Sequence, residues 1–154
     1  MTTQEDKMLL IKDLSSRLPY AVHVQHISGV SGILPDISIY HMYDENDNIY
    51  DAICYTDFFK DGGSIGIEHF KPYLFPLSSM TEEQRKEFLS VTGYEEREED
   101  CGRHTETYYY DMVGHEHNLH PNLDAIDWLN KNHFDYRGLI EKGLAIDATG
   151  KNIY

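Results

Sequence analysis

Apolar and polar residues follow two periods along this chain, and the switch between them marks the elements. Over residues 4–18 the apolar positions Met8, Ile11, Leu14 and Leu18 recur at steps of three and four, the spacing of one helical face. Thr2 and Glu5 stand at capping-box spacing at its start, and Pro19 ends it. Residues 21–27 alternate with period two, which predicts a strand with Val22 and Val24 on one face. Gly29 and Gly32 then break the chain before residues 37–43 and 49–59, both rich in β-branched and aromatic side chains. The polar run between them, residues 44–48, reads as a hairpin loop. Asp61-Gly62-Gly63 reads as a turn, and residues 65–74 as a further strand that Pro72 assigns to a sheet edge.

The second half repeats this grammar. Ser79-Met80-Thr81-Glu82 opens a helix that runs to Val91 and closes at Gly93. Residues 94–100 and 105–113 pair as a second hairpin around Cys101-Gly102. Residues 122–132 form a third helix, expected to bury Leu123, Ile126 and Leu129 with Trp128 close by. The glycine-interrupted tail is too short between breaks for a long element. There is no repeat, linker or low-complexity tract. The expected fold is therefore a single α+β domain over residues 1–154, with a mainly antiparallel sheet, an N-terminal helix and two further helices.

Composition narrows the function more than the fold. With 40% hydrophobic residues the chain has material for a core, and 27 Asp+Glu against 13 Lys+Arg give a net charge of -14. Direct binding to nucleic acid or to an anionic membrane needs a basic surface, so neither is expected. The first apolar run, residues 8–11, is too short for a signal peptide or a membrane span, and Cys54 and Cys101 form no CxxC pair. Cytoplasmic location with reduced thiols is the expectation. Whether the two cysteines pair is left open. The acidic runs at residues 44–57 and 95–100 are expected to be solvated faces, with imitation of DNA charge as the alternative.

Two segments carry candidate chemistry. His115, His117 and His120 form an HxHxxH run after a β-like stretch, a spacing that brings neutral imidazoles onto one divalent ion such as zinc. The run resembles the first metal box of metallo-β-lactamase-type hydrolases, with Leu119 standing where that box has Asp. The resemblance implies a metal-dependent hydrolase as an alternative function. The second segment is His133, Asp135, Tyr136 and Arg137, a dense polar-aromatic run suited to a pocket wall or, more plainly, to packing the tail onto the sheet. Phe134 and Tyr136 would do the packing, and Arg137-Gly138 would make a turn that accepts a carboxylate partner. Arg17, Lys71, Arg103 and Arg137 are the cations near predicted element ends. The 12 Tyr, with Tyr108-Tyr109-Tyr110 obliged to point to alternate faces, supply surplus aromatic surface for a flat ligand, a partner or an isologous homodimer.

Three stretches together resemble a family of small uncharacterised proteins from phages, prophages and mobile elements of Bacteroides-type bacteria. They are Leu9-Leu10-Ile11-Lys12-Asp13-Leu14 with Arg17-Leu18-Pro19-Tyr20, residues 71–83 from Lys71-Pro72-Tyr73, and residues 127–140 from Asp127-Trp128-Leu129 followed by Gly143-Leu144-Ala145. The resemblance implies an accessory protein in the host cytosol and brings no catalytic residue with it. The expected function is non-enzymatic binding, as counter-defence, of a small nucleotide-like ligand or of a host protein.

Overall fold

In the computed structural model, residues 3–43, 45–46, 49–56, 58–59, 65–93, 95–100, 105–110, 116–117 and 123–154 are described. In chain order the elements are α1 (Gln4–Arg17), β1 (His23–His26), β2 (Ser31–Ile33), β3 (Ser38–Tyr43), β4 (Ile49–Thr56), β5 (Ile65–Gly66), β6 (Phe70–Pro76), α2 (Glu82–Thr92), β7 (Glu95–Asp100), β8 (Thr105–Tyr110), β9 (Glu116–His117), α3 (Leu123–Lys131), β10 (Phe134–Asp135) and β11 (Ile146–Asp147). This is the expected α+β class: the N-terminal helix comes first, two helices follow, and the pairings are antiparallel except those of β10 and β11 with β6. The chain divides into two compact units, residues 1–77 with 133–154, and residues 78–132.

The first unit is built on α1 and β6. The cap of α1 is Thr3, one residue later than the spacing predicts, and its box is closed by Asp6 rather than Glu5. Thr3 Oγ1 accepts from the Asp6 N–H at 3.1 Å, and Asp6 returns the bond to the Thr3 N–H at 3.2 Å. Pro19 falls in the 3-10 turn Leu18–Tyr20 that ends the helix, as a missing N–H requires. Leu10, Ile11 and Leu14 pack with Val22, Val24, Leu34, Ile67 and Phe70 into the core of this unit, so Val22 and Val24 share the buried face that their alternation predicts.

Strand β6 departs from expectation. It is not an edge: it pairs antiparallel with β1 over Phe70–Pro72 and takes β11 and β10 in parallel register at Tyr73–Leu74 and Phe75–Pro76. Pro72 is tolerated because alternate residues of a strand direct their N–H groups to opposite sides. Among the described residues, only β1 is in register with it. The 3-10 turn Ile67–His69 separates β5 from β6, so the stretch that reads as one strand is two. Gly32 lies inside β2 instead of breaking the chain before it, and β1 and β2 form a hairpin. β3 and β4 pair as the hairpin that their β-branched and aromatic runs around residues 44–48 predict. The turn expected at Asp61-Gly62-Gly63 lies outside the described residues.

The second unit carries α2 and α3. Thr81 and Gln84 form a reciprocal capping box, and Gly93 closes α2 in the left-handed region at φ 70°. Phe88 meets Trp128 of α3 edge-on, ring centroids 5.3 Å apart. Helix α3 begins at Leu123 and buries Leu129 and Trp128 as expected, together with Ala125 and Asn130, with Ile126 half-buried, while Leu123, expected in the core, is 81% exposed. β7, β8 and β9 form an antiparallel sheet in this unit.

Candidate functional site

The first unit encloses a charged cluster that begins inside one helix. Asp13 and Arg17 are one turn apart on α1, so their side chains meet on one face. Asp13 Oδ2 accepts from Arg17 Nε at 2.7 Å and Oδ1 from Nη2 at 3.0 Å, a bidentate pair with both side chains 0% exposed. Arg17 Nη2 also donates to the Phe134 carbonyl at 2.7 Å, which ties α1 to the returning tail. Arg137 Nε lies 3.3 Å from the same Asp13 Oδ1, and Arg137 Nη2 donates to the Tyr136 hydroxyl at 2.9 Å. The Tyr136 ring lies within 5.5 Å of the Arg17 guanidinium carbon and 4.7 Å of that of Arg137. One carboxylate thus serves two guanidiniums. Arg17 Nη1 has no hydrogen-bond partner among the described residues.

His133 and Tyr154 extend the cluster. His133 is 7% exposed, holds a left-handed backbone at φ 59°, and stacks on Tyr154 with centroids 3.7 Å apart and planes at 12°. Burial, and then the neighbouring Arg17 and His23, lower its pKa from 6.5 to about 4, so the ring is neutral at pH 7. The Tyr154 hydroxyl accepts from the His23 N–H at 3.2 Å and donates to the Tyr73 carbonyl at 2.8 Å, bridging β1 and β6 beside their last ladder pair. Burial pushes its pKa up to about 12. Asp135 is occupied by backbone: Oδ1 accepts from the Leu139 N–H at 2.9 Å and the Arg137 N–H at 3.3 Å, and Oδ2 from the Ile140 N–H at 2.7 Å. That geometry sets the turn in which Gly138 takes φ 71°.

Of the four residues read as a pocket wall, His133, Tyr136 and Arg137 therefore converge on Asp13 and Arg17, and Asp135 holds the loop that delivers them. Arg137 takes the carboxylate partner expected of it, and Phe134, 1% exposed, packs the tail against the sheet. Sequence reasoning did not single out Asp13 or Tyr154. The Asp13–Arg17 spacing was the available signal for the first. Nothing local marks Tyr154, whose partners lie 81 and 131 residues away.

The same unit has an open cavity of about 260 Å³, lined by Asp6, Leu10, Glu68, Phe70, Lys71, Lys142, Gly143 and Leu144. Its lining is mainly polar, with a minor apolar share from Leu10 and Phe70 (each 1% exposed) and Leu144. Asp6 belongs to the cap of α1, whose bonds lower its pKa together with a smaller contribution from Lys142. Among the described residues, Lys71 and Lys142 close no ion pair, and Glu68 Oε2 is buried without a hydrogen-bond partner. The Glu68 carboxylate rests on Gly66, where a Cβ would lie 2.7–2.8 Å from its atoms. Lys71, Lys142 and Glu68 thus line one cavity without an ion pair among them.

The other predicted features are only partly described. His115 and His120 lie outside the described residues, as do Cys101 and Arg103, and His117 is described only as part of strand β9. The acidic run Glu95–Asp100 is strand β7, paired residue for residue with the tyrosine-rich β8. No helix among the described residues is long and apolar enough to cross a membrane. No protein-family model, curated protein or solved structure matches the chain.

Proposed function

We propose that the protein acts by binding rather than by catalysis, and that it holds a small charged ligand in the cavity of its first unit. The observation that supports this is the convergence of Lys71 and Lys142, neither of them in an ion pair among the described residues, on one cavity in a chain of net charge -14. Cations are scarce here. Two of them lining one cavity favour an anionic group from outside the chain. The reading extends the resemblance to mobile-element proteins: an accessory protein of the host cytosol that sequesters a small anionic signal, nucleotide-like or otherwise. Native mass spectrometry of the protein purified from its own host type, followed by denaturation to release small molecules, is the test. A released anionic metabolite that is lost in Lys71→Met/Lys142→Met is expected. Wild-type protein that carries nothing and shows no melting shift with metabolite pools would overturn the reading.

Occlusion of a host protein is a second reading, favoured by a different observation. Ile27, Val30 and Ile33 of the β1–β2 hairpin are 71%, 48% and 51% exposed, apolar surface that a partner would cover. Ile27→Ser/Ile33→Ser should then abolish counter-defence in infected cells while leaving small-molecule binding unchanged. Metal-assisted hydrolysis by His115, His117 and His120 is tested separately, by metal content after metal-supplemented purification and by His117→Ala.

A further inference from the structure

The β1–β2 hairpin is bare of charge in a chain crowded with it. Residues 18–35 hold no Asp, Glu, Lys or Arg, while the whole chain carries 27 Asp+Glu and 13 Lys+Arg. Two copies of a chain with net charge -14 repel one another over most of their surface, and least where no charge is carried. That segment also holds an open sheet edge. The Leu34 N–H donates to the Val22 carbonyl at 2.9 Å and the His26 N–H to the Val30 carbonyl at 2.8 Å. The hydrogen-bonded pairs of the β1–β2 ladder are therefore 22 with 34, 24 with 32 and 26 with 30. Ser31 and Ile33 form the intervening pairs, so their N–H groups and carbonyls point away from β1. Among the described residues none of these four groups has a partner, and β2 pairs with no strand but β1. Both residues are exposed, as is the neighbouring Val30. Sheet edges are ordinarily blunted by a lysine, a proline or a bulge, and Ser31-Gly32-Ile33 has none of these.

This edge is complementary to itself. A two-fold axis at Gly32 sets Ser31 opposite Ile33 of a second copy, and Ile33 opposite its Ser31. Each of these residues offers one outward donor and one outward acceptor, so four main-chain bonds close in register. We infer that β2 pairs antiparallel with β2 of a second copy about Gly32, continuing the sheet across an isologous dimer. The dimer is independent of the ligand proposed for the cavity. It assigns to self-association the apolar hairpin that occlusion would assign to a host protein.

Sedimentation velocity and light scattering on the full chain test this. A species of twice the 17.9 kDa chain mass is expected, with a dissociation constant on the order of micromolar for so short an edge. Added salt should tighten it, because screening relieves the mutual repulsion and the paired edges hold no ion pair to lose. Hydrogen exchange should find the Ser31 and Ile33 amides protected in the dimer and released on dilution, with the Gly32 amide held by β1 in both states. Ile33→Lys should weaken the dimer about a hundredfold, about tenfold for each copy of the charge that the two-fold brings to the interface. Ser31→Pro should weaken it as well, since it removes an outward donor that the β1 ladder does not use. Far-UV circular dichroism and retained protection at Val24 and Gly32 show that the hairpin is intact in each variant. A monomer at about 100 μM would overturn the inference. So would a dimer that survives both substitutions while the Ser31 and Ile33 amides exchange freely, because it would lie on another face. A monomer that protects those amides only on binding a host protein would overturn it in favour of occlusion.

Discussion

Asp13→Asn is the substitution that tests the charged cluster most directly. In the wild-type protein Asp13 accepts two bonds from Arg17 and faces Arg137 at 3.3 Å, with its own side chain and that of Arg17 wholly buried. An asparagine has one acceptor oxygen and a donor amide. It leaves Arg17 short of one bond, turns an N–H toward a guanidinium, and removes the negative charge that faces two positive ones. Removing one partner of a buried pair costs about 3–5 kcal/mol, because the surviving charge stays desolvated. For a domain whose net stability is about 5–15 kcal/mol this is about a fifth or more of the total. Arg17→Met should cost less, about 2–3 kcal/mol: it removes the two bonds to Asp13 and the one to the Phe134 carbonyl, but Asp13 keeps Arg137, whose side chain is 18% exposed. The double variant should recover most of the Asp13→Asn loss, since no buried charge is then orphaned. Urea unfolding followed by far-UV circular dichroism gives the three values, and hydrogen exchange at the β6 amides localises them to the first unit. A cost below about 1 kcal/mol for Asp13→Asn, or a double variant worse than both singles, would refute the reasoning.

Acid should weaken the first unit through His133. Its pKa is 6.5 unfolded and about 4 folded, so between those values the unfolded chain binds the extra proton. The contribution is intact above pH 6.5 and is lost as pH falls toward 4. It amounts to about 2 kcal/mol once the solvent-facing edge of the stack is allowed for. His133→Asn, which tolerates the left-handed backbone, should flatten that segment of the stability–pH curve, and an unchanged slope would sink the assignment. Asp135→Ala frees three backbone N–H groups and should cost about 2–3 kcal/mol by urea unfolding, with faster hydrogen exchange at Leu139 and Ile140. Tyr154→Phe keeps the stack but removes the hydroxyl bridge beside the β1–β6 ladder, and should cost about 1–2 kcal/mol with exchange rising at His23.

Much of the local structure was legible because it depends on neighbours in the chain. The three-and-four spacing of Met8, Ile11, Leu14 and Leu18 dictates α1, Thr81 and Gly93 bracket α2, and the alternation around Val22 and Val24 gives β1 a buried face. The capping-box slip from Thr2 to Thr3 shows the limit even there: adjacent threonines offer two registers, and the acid three residues on that reaches back decides between them. Pattern failed where a position answers to distant segments. Pro72 reads as an edge residue, yet β1, β10 and β11 all come to its strand from elsewhere in the chain. Leu123 reads as core and is exposed, because the face of α3 that is buried is set by what packs on it.

The same division separates the residues of the site from the site itself. Amino-acid order alone determined that Asp13 and Arg17 share a helical face, and that residues 133–137 carry a dense set of polar and aromatic groups. Tertiary structure decided that the tail returns along β6, so that Arg137 joins Asp13 across 124 positions and Lys71 shares a cavity with Lys142. Helical and strand periods are written in torsions a few residues long, whereas a cavity and a buried charge cluster exist only once remote segments exclude water together.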